Sequence, residues 1–141
     1  MPEFAQPYNA ALISVALLVL VVIAQSFYST FTNLLARGGT PGQPVDGDHG
    51  DRHWRIYRVH QNSLENFGLF AATVFAAVLL GTSPGWINTL AIIVLIARVT
   101  HSIIYILGIG PISRGPRTIA FVVGFMSNAV MALVVLLSAL F

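Results

Sequence analysis

The chain contains no cysteine and no lysine. Without cysteine there is no disulfide framework, no thiol nucleophile and no thiolate metal site. Any thiol chemistry must therefore use a thiol that a substrate brings. Charge is scarce too: 9% of the 141 residues are charged, against about 25% in ordinary soluble domains. With 56% hydrophobic residues and a mean hydropathy of +0.80, this composition excludes a soluble globular domain and indicates an integral membrane protein. No basic cluster stands away from the membrane boundary, so a nucleic-acid partner is not expected. What positive charge there is comes from seven arginines. Arginine keeps its charge when buried and grips carboxylates through two parallel hydrogen bonds.

Four apolar segments follow one another, at about residues 9–36, 54–80, 85–107 and 115–141. Each reaches the ~20 residues needed to cross ~30 Å of hydrocarbon. They are too long and too uniform for barrel strands. The first lacks the basic start of a cleavable signal peptide and is too long for one, so it reads as a retained helix. Gly and Pro punctuate the gaps at residues 38–42, 81–85 and 108–111. The expected fold is an all-α integral membrane protein, a four-transmembrane-helix bundle in a single domain over residues 1–141.

Arg37, Arg52, Arg55 and Arg58 flank the first connection, and Arg114 and Arg117 flank the third. The second connection is uncharged and the N-terminal tail has only Glu3. The positive-inside rule then puts both Arg-bearing loops in the cytoplasm and both termini outside. The first loop, about 37–53, is long for a bundle connection and reads as a lid or a tether. Its Asp46-Gly47-Asp48-His49-Gly50-Asp51 run lacks the length and terminal Glu of an EF-hand, and reads as a solvated acidic loop. His49, His53 and His60 are close in sequence, but none forms the zincin pattern with a Glu, and no metal is expected.

The second segment carries its polarity on one face. At 100° per residue, Arg55, Arg58, Asn62 and Glu65 fall within roughly a quarter of the helix circumference. Arg98, His101 and Tyr105 make a matching stripe on the third segment. Ionisable groups within a membrane segment are costly and usually face a bundle interior or an aqueous cleft. Counting 1.5 Å per residue from the Arg-bearing side puts Glu65 at a depth of about 16 Å and Arg98 at about 18 Å. Pairing of these two charges is the expectation. The remaining arginines are a surplus, and surplus arginine in a partly dry cleft is a receptor for an anion, with a dicarboxylate as a good fit. Pro116 opens the fourth segment in a position helices favour. Arg117 in that first turn opposes the helix dipole, so it serves either as a headgroup anchor or as a stabiliser of a thiolate or other anion. His101 is readable as a general base or as a helix-packing residue. Gly81, Gly124, Ser127, Ala129 and Ala132 read as allowing close helix contact.

The run Arg55-x-x-Arg58-x-His60-x-Asn62-x-x-Glu65, then Arg98-x-x-His101-x-x-x-Tyr105, then Arg117 at the start of the fourth helix, resembles the MAPEG family, the membrane-associated proteins in eicosanoid and glutathione metabolism. The resemblance covers about residues 50–125 and is to a bacterial-type member, which implies an inner membrane. It implies a homotrimer with glutathione as co-substrate between neighbouring subunits, on the cytoplasmic side. Carried over by position, Arg58, Asn62, Glu65 and Tyr105 would hold glutathione. Arg98 would pair with Glu65 and help to bind, Arg55 would lie near the entrance, and His101 belongs to the same stripe. Arg117 would lower the thiol pKa and act in catalysis. The implied activity is that of a glutathione transferase or peroxidase acting on a lipophilic small molecule that arrives through the bilayer. The alternative within the same fold is a non-catalytic lipid-binding or scaffold protein. Gln61 replaces an Arg of some eicosanoid-synthesising members, Phe121 replaces a common Tyr, and the first helix has no mid-span Arg. These departures count against prostaglandin or leukotriene synthesis.

Overall fold

Helices begin and end where the side-chain chemistry changes. A computed structural model describes all of residues 1–141. A short 3-10 turn, Glu3–Tyr8, leads into helix α1, Asn9–Arg37. Helices α2 (Arg52–Leu80), α3 (Pro84–Leu107) and α4 (Pro116–Leu140) follow. Pro84 and Pro116 open their helices, where the missing N–H costs nothing. Gly38, Gly81 and Gly108 close α1, α2 and α3 in the left-handed conformation that a glycine adopts without strain.

Asp51 starts α2. Its Oδ1 accepts from the backbone N–H groups of His53 at 2.8 Å and Trp54 at 3.5 Å, which would otherwise be unpaired. Its Oδ2 forms an ion pair with Arg37 at the end of α1. Arg37 also donates to the carbonyl of Asp46 at 2.7 Å. The 37–53 connection is thus neither a tether nor a purely solvated acidic loop. It is stitched to both flanking helices, and Val45 is buried beneath it.

The bundle is arranged around α3, which packs against α1, α2 and α4. Helix α2 touches the other three as well, whereas α1 and α4 do not meet. The interior has two halves of different character. One is an apolar core built from Leu18, Phe70, Val74, Ile87, Val94 and Met131, among others. Tyr8 belongs to it and donates its hydroxyl to the carbonyl of Thr82. Asn88 closes the same end: its amide donates to Pro7 O at 2.8 Å, and its Oδ1 accepts from Ala11 N at 3.0 Å. The other half, nearer the arginine-bearing connections, buries Gln25, Ser63, Arg98, His101, Ser102 and Tyr105.

The outside is the reverse of a soluble protein's. Leu20, Phe27, Ile96, Leu133 and Leu136 all point outward. All four helices are long and apolar enough to cross a membrane. The chain is a multi-pass membrane protein, and lipid rather than water covers these faces.

Removal of the α2 cap is the local test of this arrangement. Asp51→Ala should lower stability by about 1 kcal/mol from the lost cap, whereas Asp51→Asn should keep the cap and lose only the ion pair. Thermal unfolding of the purified variants in one detergent measures both.

Candidate functional site

Arg98 is the charge buried deepest in the polar half, at 3% exposure. Its Nη2 donates to the backbone carbonyl of Asn62 at 3.0 Å and to the Asn62 side-chain Oδ1 at 2.5 Å. The guanidinium lies 5.6 Å from the centroid of Phe121, a cation–π distance. Gly124 makes room for it. A Cβ at position 124 would come within 3.3 Å of Arg98 Cδ and of Ala97 Cβ.

The expected Glu65–Arg98 pair is not formed within the chain. Glu65 instead accepts from Arg58 at 3.5 Å, and both side chains are about half exposed, at 55% and 44%. Two geometric facts account for the change. Three residues along a helix turn a side chain by about 60° from the starting face, so with Asn62 facing α3, Glu65 is rotated off that face. Helical side chains also lean toward their own N-terminus, which for Glu65 is the direction of Arg58.

His101 donates from Nδ1–H to the Arg117 carbonyl, 3.0 Å away. It therefore ties α3 to the first turn of α4. Its ring packs against Tyr105 and Phe121 at centroid distances of 5.5 and 5.7 Å. These contacts are those of a helix-packing residue.

A second cluster forms at the arginine-rich end. Arg117, in the first turn of α4, stacks its guanidinium 4.4 Å from the centroid of the Tyr105 ring. It also donates to the carbonyl of Ile112 and lies 3.2 Å from Nδ1 of His49. The Tyr105 hydroxyl is 3.4 Å from the same nitrogen. His49 thus joins the residues that the sequence singles out, although it lies in the loop and belongs to no helical stripe. Periodicity had no means of finding it.

Arg55 explains how a loop residue is held there. Its Nη1 donates to the carbonyls of His49 and Gly50 at 2.7 and 3.0 Å, and its Nε donates to the Ile106 carbonyl at 3.3 Å. One guanidinium clamps the loop to the end of α3. Gly108 is needed here, because at φ +69 its missing Cβ leaves space for the guanidinium, whose Cζ would be 3.1 Å away. His49, Arg55, Tyr105 and Arg117 line a cavity of about 180 Å³.

An open apolar groove of about 410 Å³ runs between α3 and α4, lined by Ile93, Ile96, Ile104, Ile119 and Val123 and reaching Pro116. Pro116 precedes Arg117, so the lipid-facing groove ends next to the cationic cluster. The buried Arg98–Asn62 unit lies deeper, between α2 and α3. Arg58, Asn62 and Glu65 continue from it toward the surface of α2.

This is a four-helix membrane bundle with an arginine-lined polar cleft at one end and an apolar groove leading to it. The chain belongs to the MAPEG family, whose model matches residues 10–137, nearly its whole length. That family includes glutathione transferases and peroxidases as well as non-catalytic members. A comparison with curated proteins found no significant match.

Partial burial, with Arg117 and Arg55 adding to it against the pull of Asp48, holds His49 below the usual histidine value of 6.5. The neutral ring is the form that packs beside Arg117, so its contribution to loop docking is complete above pH 6.5 and is lost as pH falls through the depressed native value. Hydrogen exchange at Gly47 to Gly50, corrected for intrinsic rates, should therefore accelerate below pH 6. Arg55→Ala should accelerate the same amides at least tenfold at pH 7.5. Arg55→Lys should not restore protection, since a single ammonium is a poor match to three carbonyls held by a planar fork.

Proposed function

We propose that this protein is a glutathione-dependent membrane transferase or peroxidase acting on lipophilic electrophiles. The observation that carries the proposal is the meeting, at Ile104, of a lipid-facing groove with a cationic cavity that Arg117 lines. The cavity brings Arg117 and Arg55 together with Tyr105 around a small polar space. The groove gives an apolar molecule a path from the bilayer to Ile104, at the wall of that cavity.

In this reading Arg58 and Asn62 hold the peptide part of glutathione, with Glu65 available to its amino group. Arg98 reaches the ligand through Asn62, whose side chain it orients. Tyr105 supplies a hydroxyl at the wall of the cavity. Arg117 faces the sulfur. A thiol of ordinary pKa is mostly protonated at pH 7, and a fixed guanidinium beside it favours the thiolate. The thiolate then attacks an electrophilic carbon in conjugation, or the O–O bond of a hydroperoxide in reduction. Arg117 acts as a fixed electrostatic stabiliser and moves no proton.

The reading includes a homotrimer. Arg58 and Glu65 are half exposed on a bundle whose other outward faces are apolar. Charged groups are costly against hydrocarbon, and a neighbouring subunit covering the Asn62–Glu65 face would relieve that cost while enclosing the ligand. The arginine-bearing end is taken as cytoplasmic, in line with the positive-inside rule.

A non-catalytic lipid-binding or scaffold role is the second reading. It is favoured by the engagement of Arg117 within its own chain, with Ile112, His49 and Tyr105 already around the guanidinium.

Glutathione thiolate absorbs at ~240 nm, and its stabilisation by Arg117 is directly measurable. Addition of glutathione to the wild type in nanodiscs should produce this absorbance near neutral pH. Arg117→Ala should keep calorimetric binding within about threefold, lose the absorbance, and lower turnover of a hydrophobic electrophile by about a hundredfold or more. Wild-type turnover in that variant would remove Arg117 from the mechanism. Absence of glutathione binding by the wild type would favour the scaffold.

A further inference from the structure

A thiol that becomes a thiolate must give its proton to something. Arg117 has no lone pair to receive it. The other groups lining the cavity include Gly50, Arg55, Ile104, Tyr105 and Gly108, and no carboxylate. Glu65, the only acid within the helices, is paired with Arg58. Asp48 is in the loop, but its Oδ1 accepts from the Gly50 N–H at 2.8 Å.

His49 is the exception. Its Nδ1 lies 3.2 Å from Nη1 of Arg117. Arginine only donates, so Nδ1 must carry the lone pair and the ring proton must sit on Nε2. The Tyr105 hydroxyl, 3.4 Å away, faces the same lone pair. The ring is held in place from two sides. Trp54 packs edge-on at 4.7 Å between centroids, and Arg55 holds the His49 carbonyl. A neutral imidazole is therefore fixed with its basic nitrogen where the guanidinium points.

We propose that His49 is the proton acceptor for the thiol that binds beside Arg117. The proposal rests on the glutathione reading above. In the step, the Arg117 N–H passes from Nδ1 to the sulfur, the S–H bond breaks and an N–H bond forms at the freed Nδ1 lone pair, while the electron pair of the S–H bond stays on sulfur. The products are a thiolate against Arg117 and an imidazolium on the loop. The imidazolium then gives the Nδ1 proton to water, which restores the neutral Nε2–H ring and its Nδ1 lone pair. No oxidant or reductant is involved.

The surroundings suit this role. Arg117 from α4 and Arg55 from α2 disfavour a lasting imidazolium, Asp48 of the loop opposes them weakly, and Tyr105 from α3 is a neutral neighbour. The ring is thus neutral at pH 7 and passes its proton on readily. Arg117 lowers the proton affinity of the sulfur, which narrows the gap between donor and acceptor.

The test is stopped-flow mixing of glutathione with the full-length protein in nanodiscs, following absorbance at ~240 nm and proton release with a pH dye. His49→Ala and His49→Gln should both slow thiolate formation at least about tenfold. The final thiolate amplitude should change less than twofold, because Arg117 remains. Glutamine retains an acceptor for Arg117 but takes no proton, so it separates proton transfer from positioning. Added imidazole should accelerate His49→Ala and leave His49→Gln unchanged. The wild-type rate should fall with an inflection below pH 6.5, and both variants should lose that inflection. Wild-type rates in either variant, or full recovery in His49→Gln, overturn the proposal while leaving the glutathione reading intact. Absence of any thiolate signal in the wild type overturns the glutathione reading itself, and His49's role with it.

Discussion

One guanidinium buried in an apolar bundle dictates much of what surrounds it. Arg98 is 3% exposed and lies among helices rich in Leu, Ile, Val, Ala and Phe. A charge in such a place is tolerable only if its donors find acceptors. Asn62 supplies two, one from its backbone and one from its side chain, both to Nη2, while Nη1 is buried with no hydrogen-bond partner in the chain. Because a backbone carbonyl is used, the contact fixes α2 against α3 in register as well as in rotation. Gly124 lets α4 approach closely without displacing the side chain. The α3 backbone takes part too: the Arg98 carbonyl accepts from Ser102 Oγ at 2.9 Å, and Ser102 Oγ in turn accepts from Gln25 of α1 at 3.0 Å. A single short polar chain thereby connects α1, α3 and α2 at the boundary between the apolar and polar halves.

The second polar centre uses the same chemistry for a different end. Arg55 satisfies three backbone carbonyls with one planar group, two in the loop and one at the end of α3. Such carbonyls are obligatory acceptors, and those at a helix end lack partners within the helix. Clamping them uses one of the cleft's own arginines and brings His49 over Tyr105 and Arg117. The two centres divide the work by depth. The inner one holds helices in register, while the outer one attaches a loop to the bundle and makes a small cavity there.

Much of this was legible from sequence. Four spans followed from hydropathy and length, and their ends from Pro and Gly. The membership of Arg98, His101 and Tyr105 in one buried face followed from periodicity, and all three are indeed buried. Two features were out of reach for physical reasons. Depth along a helix gives the level of a charge but not its rotation about a neighbouring axis, so Glu65 and Arg98 matched in level yet face different ways. His49 has no period to reveal it. Its place depends on Arg55 reaching backwards to loop carbonyls, a contact between a side chain and a backbone that leaves no trace in residue spacing. The acidic run beside it also suggested solvation, whereas Asp51 is occupied with capping α2 and holding Arg37.

The altered partner of Glu65 bears on assembly. Had Glu65 closed on Arg98, the polar stripe of α2 would have been satisfied within one chain, and its outer members would have been simple anchors. Instead Arg98 takes a neutral amide as the partner of Nη2, which leaves the one carboxylate of the helices on the surface with Arg58. At 3.5 Å and half exposed, that pair is loose, and in water it would add little stability. Against lipid it would be a burden. A surface of this kind is therefore more consistent with contact to something polar than with a free lipid face. A ligand bearing both an ammonium and carboxylates answers Glu65 and Arg58 together, and a second copy of the chain would shield both from hydrocarbon. The arrangement that gives Arg98 a neutral partner is thus the same one that leaves Arg58 and Glu65 available.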